Sequence, residues 1–442
     1  MNTEAILADL LSKARAAGAD AADAVLVSGT SLAIQRRLGR TEQLERSESR
    51  DLGLRVFVGN RQALVSATSA DPGSFATLAE RAVAMARIVP EDPHAGLAAE
   101  MQPASYPALD LVDGTEPTAE DLVERASIAE EAALSVSGVT NSEGAEAGYS
   151  RTEVALATSA GFSGSYTRTG HSVSATALAG TGTGMERDYD YSSAVHLADL
   201  EDPAALGRAA ASRAVARLNP VRPKTATLPV IYDPRVASSL LGHLMGAING
   251  LAIVRGTSFL KDSLGQRIFA PGITIRDDPR RVRGLRSRPF DAEGVPTAAR
   301  NIIEDGVLTT WLLDSRSARV LGLRSTGHAG RGTGSPPSPN PSNLCLQPGT
   351  LTPAELMADI TEGLYISEMI GGGANGITGD YSRGAAGFMI RNGQLAEPVS
   401  EITVAGSIQS MFLNLTPAND LRLRRGTDSP TVRVEGLTMA GA

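Results

Sequence analysis

The sequence predicts an α+β protein: two helix–strands–helix subdomains, then a β-rich domain that forms a curved, partly closed sheet with one long helix. Three observations predict this class. An order of amphipathic helix, β-like segments and amphipathic helix occurs twice before residue 220. After residue 225, short apolar runs alternate with glycine-containing turns. Two proline-containing stretches without periodicity, 89–107 and 218–224, separate these parts. We therefore predict subdomains at 1–100 and 108–220 and a domain at 225–442.

The first subdomain begins with a helix whose apolar face includes Ile6, Leu7 and Leu10, and Gly18 follows it as a stop signal. A second helix is predicted over 75–88. Between the two helices, β-like segments are predicted at 24–27, 32–36, 41–46, 52–58 and 62–67.

The second subdomain repeats this order. A helix is predicted over 118–135, alternating Ser/Thr/Ala strands fill 144–197, and another helix covers 203–218. The repeated order indicates a duplicated architecture without visible sequence identity.

The C-terminal domain is predicted to contain one long helix, over 234–253, among short strands. Glu304-Asp305-Gly306 and Arg391-Asn392-Gly393 are strong hairpin signals. Because glycine lets a backbone or ligand approach closely, we expect a groove in this β-rich part.

Composition excludes several classes of protein. The 442 residues carry 41 Lys and Arg against 49 Asp and Glu, a net charge of −8, which argues against direct nucleic-acid binding over the whole surface. The single cysteine, Cys345, excludes an intramolecular disulfide and a Cys-rich metal site. No run approaches the ~18 apolar residues of a membrane span, and the N-terminus lacks signal-peptide features. We expect a cytoplasmic protein without membrane contact.

The histidines do not form a metal motif. Of the five, only His243 lies on the long predicted helix, and the residues four and five positions on are Ala247 and Ile248. A zinc-peptidase helix carries a second histidine about one turn away and a glutamate beside the first. We therefore predict no metal, no cofactor and no catalytic residue in this chain.

The residues most suited to binding lie in a glycine-rich stretch of the C-terminal domain. Successive glycines can bind an anion through backbone N–H groups, or can mark a loop that needs positive φ angles, and both interpretations stay open. His328, beside Arg331, can bind a carboxylate or can lie in a solvated loop. The candidates for a peptide groove are Gly371, Gly372, Gly373, Thr378, Tyr381, Ser382, Arg383 and His328.

Long ordered motifs across about 200 residues of the C-terminal half carry a family resemblance. They include LLGHLMGAIN at 240–249, RGTSFLKD at 255–262, GHAGRGTGSP at 327–336, GITGDYSRGAAG at 376–387 and PVSEITVAG at 398–406. The chain resembles the TldD/PmbA family, and within it the PmbA, or TldE, branch.

The resemblance implies a cytoplasmic partner of a TldD-type subunit, which carries zinc on a His-Glu-x-x-x-His helix with a further cysteine ligand. Such a complex cleaves unfolded peptides, of toxin–antitoxin or peptide-antibiotic type, inside an enclosed chamber. The family's label as a modulator of DNA gyrase does not imply DNA binding. In this chain the motif positions fall at Gly242, His243 and Ala247, and residues 419–436 contain no cysteine.

Two functions of different classes therefore remain. One is a non-catalytic subunit that supports a TldD-type partner and encloses the chamber, as a heterodimer. The other is a self-associating peptide-binding module, as a homodimer without a protease partner. An independent hydrolase with an unrecognised site is a third, less favoured hypothesis.

Overall fold

The computed structural model describes residues 3–102 and 108–441. The elements of the first half are α1 (Thr3–Ala16), β1 (Ala21–Arg37), β2 (Arg40–Val58), β3 (Arg61–Ala67), α2 (Phe75–Ile88), α3 (Ala119–Leu134), β4 (Val139–Thr158), β5 (Ser163–Ala179), β6 (Glu186–Ala194) and α4 (Pro203–Ala216).

One antiparallel sheet runs through both N-terminal subdomains, in the order β3-β2-β1-β4-β5-β6, and curls into a half-barrel. Pairing of β1 with β4 joins the two halves. Helices α1 and α2 cover the part around β1 to β3, and α3 and α4 cover β4 to β6. The mixed α/β class predicted from the sequence is confirmed.

The strands are longer than the sequence predicts. Segments 24–27 and 32–36 are one strand, β1, and segments 41–46 and 52–58 are one strand, β2. The polar residues between them pair across the ladder, as in Ser28 with Arg50. Strand continuity depends on inter-strand hydrogen bonds, which do not require an apolar pattern where both faces are exposed.

Capping residues determine where helices α3 and α4 begin. Thr118, predicted inside a helix, caps α3 instead: its hydroxyl accepts from the N–H of Asp121, whose carboxylate accepts from the N–H of Thr118. Pro203 opens α4 after the cap Asp202, and α4 ends at Ala216, two residues before the predicted end.

The elements of the C-terminal half are β7 (Ala226–Tyr232), α5 (Pro234–Ala247), α6 (Gly250–Val254), β8 (Ile275–Asp277), β9 (Arg300–Glu304), β10 (Val307–Leu308), α7 (Ser315–Leu321), β11 (Ala329–Gly330), β12 (Ser338–Pro339), β13 (Leu344–Leu346), α8 (Pro353–Met357), β14 (Glu362–Ile370), β15 (Asp380–Arg391), β16 (Gln394–Ser407), α9 (Ile408–Leu413), β17 (Leu415–Pro417), β18 (Thr427–Asp428) and β19 (Val432–Ala440).

The main sheet of this half is a closed barrel. Its order is β16-β15-β14-β7-β19-β17, and β16 also pairs with β19, for example Thr403 with Ala440. The sequence predicts only partial closure, because pairing of a chain's distant strands leaves no local signal. Leu240, Leu241 and Leu244 of α5 are buried in the core that the barrel strands also line.

The long helix predicted over 234–253 is divided. α5 ends at Ala247 and α6 begins at Gly250, with Asn249 extended between them. The Asn249 side-chain oxygen accepts from the Leu251 N–H over 3.0 Å, and its amide donates to the Pro339 carbonyl over 2.9 Å. Asparagine favours such caps over helix interiors, so it restarts the helix in a new direction.

Both predicted hairpins form. Asp305 and Gly306 have φ of 45° and 79°, and Asn392 and Gly393 have φ of 50° and 78°. Two consecutive positive φ angles define the turn that matches strand twist. None of the helices in the described ranges combines the length and apolar character that crossing a bilayer requires.

Candidate functional site

The family resemblance places the two histidine ligands of the metal motif on α5, at Gly242 and Ala247, and both are small residues in this chain. Gly242 and Gly246 are exposed, and a Cβ on either would meet no atom within 4 Å. Ala247 is buried. Neither glycine nor alanine has a side-chain group that can bind a metal ion.

The His243 side chain packs against another side chain of the protein. Its ring lies 5.8 Å from the Tyr381 ring, edge to face, and its buried Nε2 has no hydrogen-bond partner in the part of the chain that the structure describes. Burial lowers the pKa of His243, and the positive charge of Arg383 lowers it further. The positive charge of Arg383 also opposes binding of a metal cation beside this imidazole.

These residues do not fit zinc. A structural or catalytic zinc site needs three or four His, Cys or carboxylate ligands. Within residues 3–102 and 108–441, no group of three or more such side chains could hold a metal ion. Cys345 lies on β13, where Gln347 donates to its sulfur over 3.1 Å, and burial raises the pKa of its thiol. No chemical step through a metal is derived for this chain.

The predicted glycine run lies in the loop 371–379, between β14 and β15. A Cβ on Gly373 would lie 1.7 Å from the Ser382 carbonyl oxygen, and the Ser382 N–H donates to the Gly373 carbonyl over 2.7 Å. Gly371 has a φ of 72°, and its carbonyl accepts from Arg383 Nε over 3.0 Å. Positive φ thus accounts for Gly371 and close approach for Gly373, whereas Gly372 is exposed, has no positive φ and would have no atom within 4 Å of an added Cβ among the described residues.

This loop and α5 form the candidate site. Arg383 reaches both Gly371 and the surroundings of His243, and the Gly376 carbonyl accepts from the Phe259 N–H over 3.0 Å. The loop exposes a large apolar side chain, Ile377, which is 62% exposed. A binding role for this surface stays a prediction.

The other candidate residues on this segment differ in how exposed they are. Thr378 and Ser382 are exposed, and the Thr378 hydroxyl donates to Asp380 over 2.6 Å. Tyr381 is buried in the barrel near Tyr232, and burial raises the pKa of both hydroxyls. Tyr381 therefore supports the His243 ring from within the core and does not face solvent.

His328 is placed elsewhere. It is only 2% exposed, so the solvated-loop interpretation is wrong. Its Nε2 lies 3.1 Å from an Asp277 carboxylate oxygen and its Nδ1 lies 2.8 Å from the Thr326 hydroxyl. Burial alone would raise the pKa of Asp277, but the hydrogen bond and charge of His328 bring it below its usual value.

A buried ionic cluster that sequence reasoning missed joins the N-terminal sheet to the C-terminal half. Asp23 on β1 accepts from Arg55 Nε over 2.8 Å and from Arg331 Nη1 over 2.5 Å. Arg55 also lies 3.8 Å from Glu293. A charged residue inside an apolar strand, as in AADAVLV and LGLRVFV, is the signal that could have indicated it.

Three family models match the chain: PmbA/TldA metallopeptidase domain 1 over residues 22–86, the central domain over 113–218 and the C-terminal domain over 225–441. The chain belongs to the PmbA/TldD family. Among curated PmbA/TldD relatives, it is 38% identical to "Metalloprotease PmbA" of Escherichia coli O157:H7, over 96% of this chain and 92% of that protein. It is 34% identical to a PmbA homologue of Haemophilus influenzae, over 96% and 93% of the two chains.

Solved PmbA/TldD-type structures share the fold. A Bacteroides thetaiotaomicron protein described as a modulator of DNA gyrase superposes with a TM-score of 0.91 at 26% identity, covering 99% of both chains. TldE of Thermococcus kodakarensis superposes with a TM-score of 0.88 at 20% identity, covering 99% of this chain and 100% of that one. The second likeness concerns the fold alone.

Proposed function

We propose that this chain is the non-catalytic subunit of a TldD/TldE-type zinc metallopeptidase complex in the cytoplasm. Family membership supports the metallopeptidase context. The observation that carries the non-catalytic role is on α5, where Gly242 and Ala247 occupy the two histidine positions of the motif, His243 occupies the glutamate position, and Arg383 adds positive charge. Zinc would then belong to the TldD-type partner, and this chain would support that active site and help enclose the chamber.

Two surfaces support a role in holding unfolded peptide substrates, of toxin–antitoxin or peptide-antibiotic type. Residues 40–51 of β2 pair with β1, and no pairing on their other side occurs in the described chain. An extended peptide can add to such an edge through main-chain hydrogen bonds, which select little for side chains. The loop 371–379 adds the exposed apolar Ile377 and the nearby guanidinium of Arg383.

Co-expression tests the proposal. A TldD-type partner with the His-Glu-x-x-x-His helix is purified alone and with this chain, and cleavage of an unfolded peptide is measured. We expect the complex to be active and the partner alone to be much less active. Equal activity of the partner alone would refute the subunit role. Stoichiometric zinc in this chain alone, by elemental analysis, would overturn the metal assignment.

A pair of arginine variants tests whether the surface at loop 371–379 binds substrate. Arg383→Ala should raise the KM of the complex, whereas Arg391→Ala, at the far end of the same strand β15, should leave it unchanged. Arg391 pairs with Glu362 and Glu397 on the surface, so it is a matched control for loss of one arginine.

The alternative is a self-associating peptide-binding module. The unpaired edge of β2 suits a second copy of the chain as well as a peptide. Native mass spectrometry with and without the partner separates the two: stable homodimers that ignore the partner would favour the alternative.

A further inference from the structure

A small pocket lies where the N-terminal sheet meets the C-terminal half. Its volume is about 120 Å³. Strands β1, β4 and β5 contribute five of its eleven lining residues, all apolar or aromatic, including Val27, Leu156 and Tyr166. Two arginines, Arg288 and Arg331, also line it. We call it the arginine pocket.

The two arginines are incompletely paired. The Arg331 side chain is 1% exposed, and of its nitrogens Nη1 donates to Asp23 while Nε and Nη2 have no partner among the described residues. Arg288 Nη2 donates to the Asn340 carbonyl over 3.2 Å, and its buried Nε likewise has no partner within residues 3–102 and 108–441. Buried donors without acceptors are costly, so an acceptor that reaches them gains stabilisation.

The shape and polarity of the pocket define the ligand chemistry. A guanidinium binds a carboxylate through charge-assisted hydrogen bonds, and apolar walls favour a hydrocarbon group. A cavity of about 150 Å³ accepts benzene, so one of this size suits a branched aliphatic or small aromatic group. We propose that the arginine pocket binds a monocarboxylate that carries such a group, either as a free acid or as the C-terminal residue of a peptide. The proposal does not rest on the proposed function.

The neighbouring charges shape this binding. Asp291 also lines the pocket, and its oxygens accept from the N–H groups of Glu293, Val295 and Ala329. Burial, and then the Glu293 carboxylate, raises the pKa of Asp291. Proton uptake there removes a negative charge from the lining.

Glu293 and Arg288 act directly on Asp291, and Arg331 lines the same pocket. Arg55 and Asp314 act in turn on Glu293, and Asp23 pairs with Arg55 and Arg331. Because the pKa of Glu293 is also raised by burial, both carboxyls become neutral more readily than the exposed ones. Affinity for a carboxylate should therefore increase as the pH falls from alkaline toward neutral.

Calorimetric titration of the full chain tests the proposal. The probes are isocaproate, its neutral amide, acetate, and acetyl-glycyl-leucine with a free or an amidated C-terminus. We expect isocaproate to bind at least about tenfold more tightly than its amide and than acetate. Tighter binding of the free-carboxyl dipeptide than of isocaproate would identify a peptide C-terminus as the source, and the reverse would identify a free acid. Equal binding of acid and amide, or no binding of either acid, would overturn the proposal.

Two variants, Arg288→Met and Val27→Phe, test whether isocaproate binds in the arginine pocket, and Arg286→Met is the control. Arg288→Met should weaken isocaproate binding about tenfold, whereas Arg286→Met should not, since Arg286 is exposed and donates to the Thr427 hydroxyl. Val27→Phe should abolish binding by filling the pocket from a half-buried position while leaving both arginines in place. Wild-type affinity in both folded variants, checked by circular dichroism, would refute this location.

Discussion

His243 illustrates how one residue can resemble a ligand and yet serve packing. It lies on the helix where the family resemblance places a metal motif, but its ring packs edge to face on Tyr381 and its buried Nε2 has no hydrogen-bond partner among the described residues. Burial and Arg383 both lower the pKa of His243. The folded protein therefore holds this histidine neutral.

Replacing His243 with phenylalanine keeps an aromatic ring against Tyr381 and removes the buried nitrogen without a partner. We expect the free energy of unfolding to rise by about 1 kcal/mol near neutral pH. The gain should grow as the pH falls below about 6.5, because the unfolded chain then binds a proton that the folded ring resists. Urea unfolding of wild type and H243F at about pH 7.5 and about pH 5.5 measures this gain in stability and its pH dependence. His94→Gln, in the segment 89–107, is the control, and parallel pH curves for wild type and H243F would contradict the explanation.

At the scale of elements, turns and caps decide where strands and helices end. The hairpin of β9 and β10 depends on Gly306, which has a φ of 79° and whose Cβ would lie 2.5 Å from the Phe269 carbonyl oxygen. Gly436, inside β19, has a similar φ of 73°, but a Cβ there would meet no atom within 4 Å. Substitutions at these two glycines therefore distinguish the cost of backbone strain from the cost of steric crowding.

Gly436→Ala should lower the free energy of unfolding by about 1 kcal/mol, from the left-handed backbone alone. Gly306→Ala should lower it by more than about 2 kcal/mol, because the added carbon also displaces the backbone of residues 269 and 270. Urea denaturation midpoints of both variants provide the comparison. Equal losses would show that crowding at Gly306 relaxes without cost.

At the scale of the whole molecule, a buried ionic cluster connects the half-barrel to the C-terminal half. Asp23 lies between Arg55 and Arg331, and all three side chains are almost fully buried. Burial alone would raise the pKa of Asp23, but the two guanidinium groups bring it below its usual value. The carboxylate therefore stays ionised and compensates two buried positive charges.

Asp23→Asn should lower the free energy of unfolding by about 3–5 kcal/mol, because two buried arginines lose their shared counter-charge. Glu48→Gln removes an exposed partner of Arg46, 3.5 Å away, and should change stability by less than about 0.5 kcal/mol. Urea unfolding quantifies both, and limited proteolysis should show earlier cleavage of D23N between the two halves. A loss below about 1 kcal/mol for D23N would mean that water replaces the carboxylate.

The candidate site was predictable in part. The residues at the motif positions 242, 243 and 247 and the glycine-rich composition of the loop are matters of residue identity, so the sequence alone specifies them. The sequence does not show which of the candidate residues face solvent. Tyr381 and Ser382 are neighbours on one strand, yet they point to opposite sides of the barrel wall. His328 and the arginine pocket depend on partners far along the chain.

The sequence by itself determined the mixed α/β class, helix α2 to the residue, both Asp-Gly and Asn-Gly hairpins and the family, because each depends on local spacing or on residue identity. Tertiary structure alone decided the continuity of β1 and β2, the closure of the barrel and the ionic cluster that joins Asp23 to Arg331. The physical reason is that these features come from hydrogen bonds and charges between residues as much as 308 positions apart, and no local pattern encodes which distant residues pair.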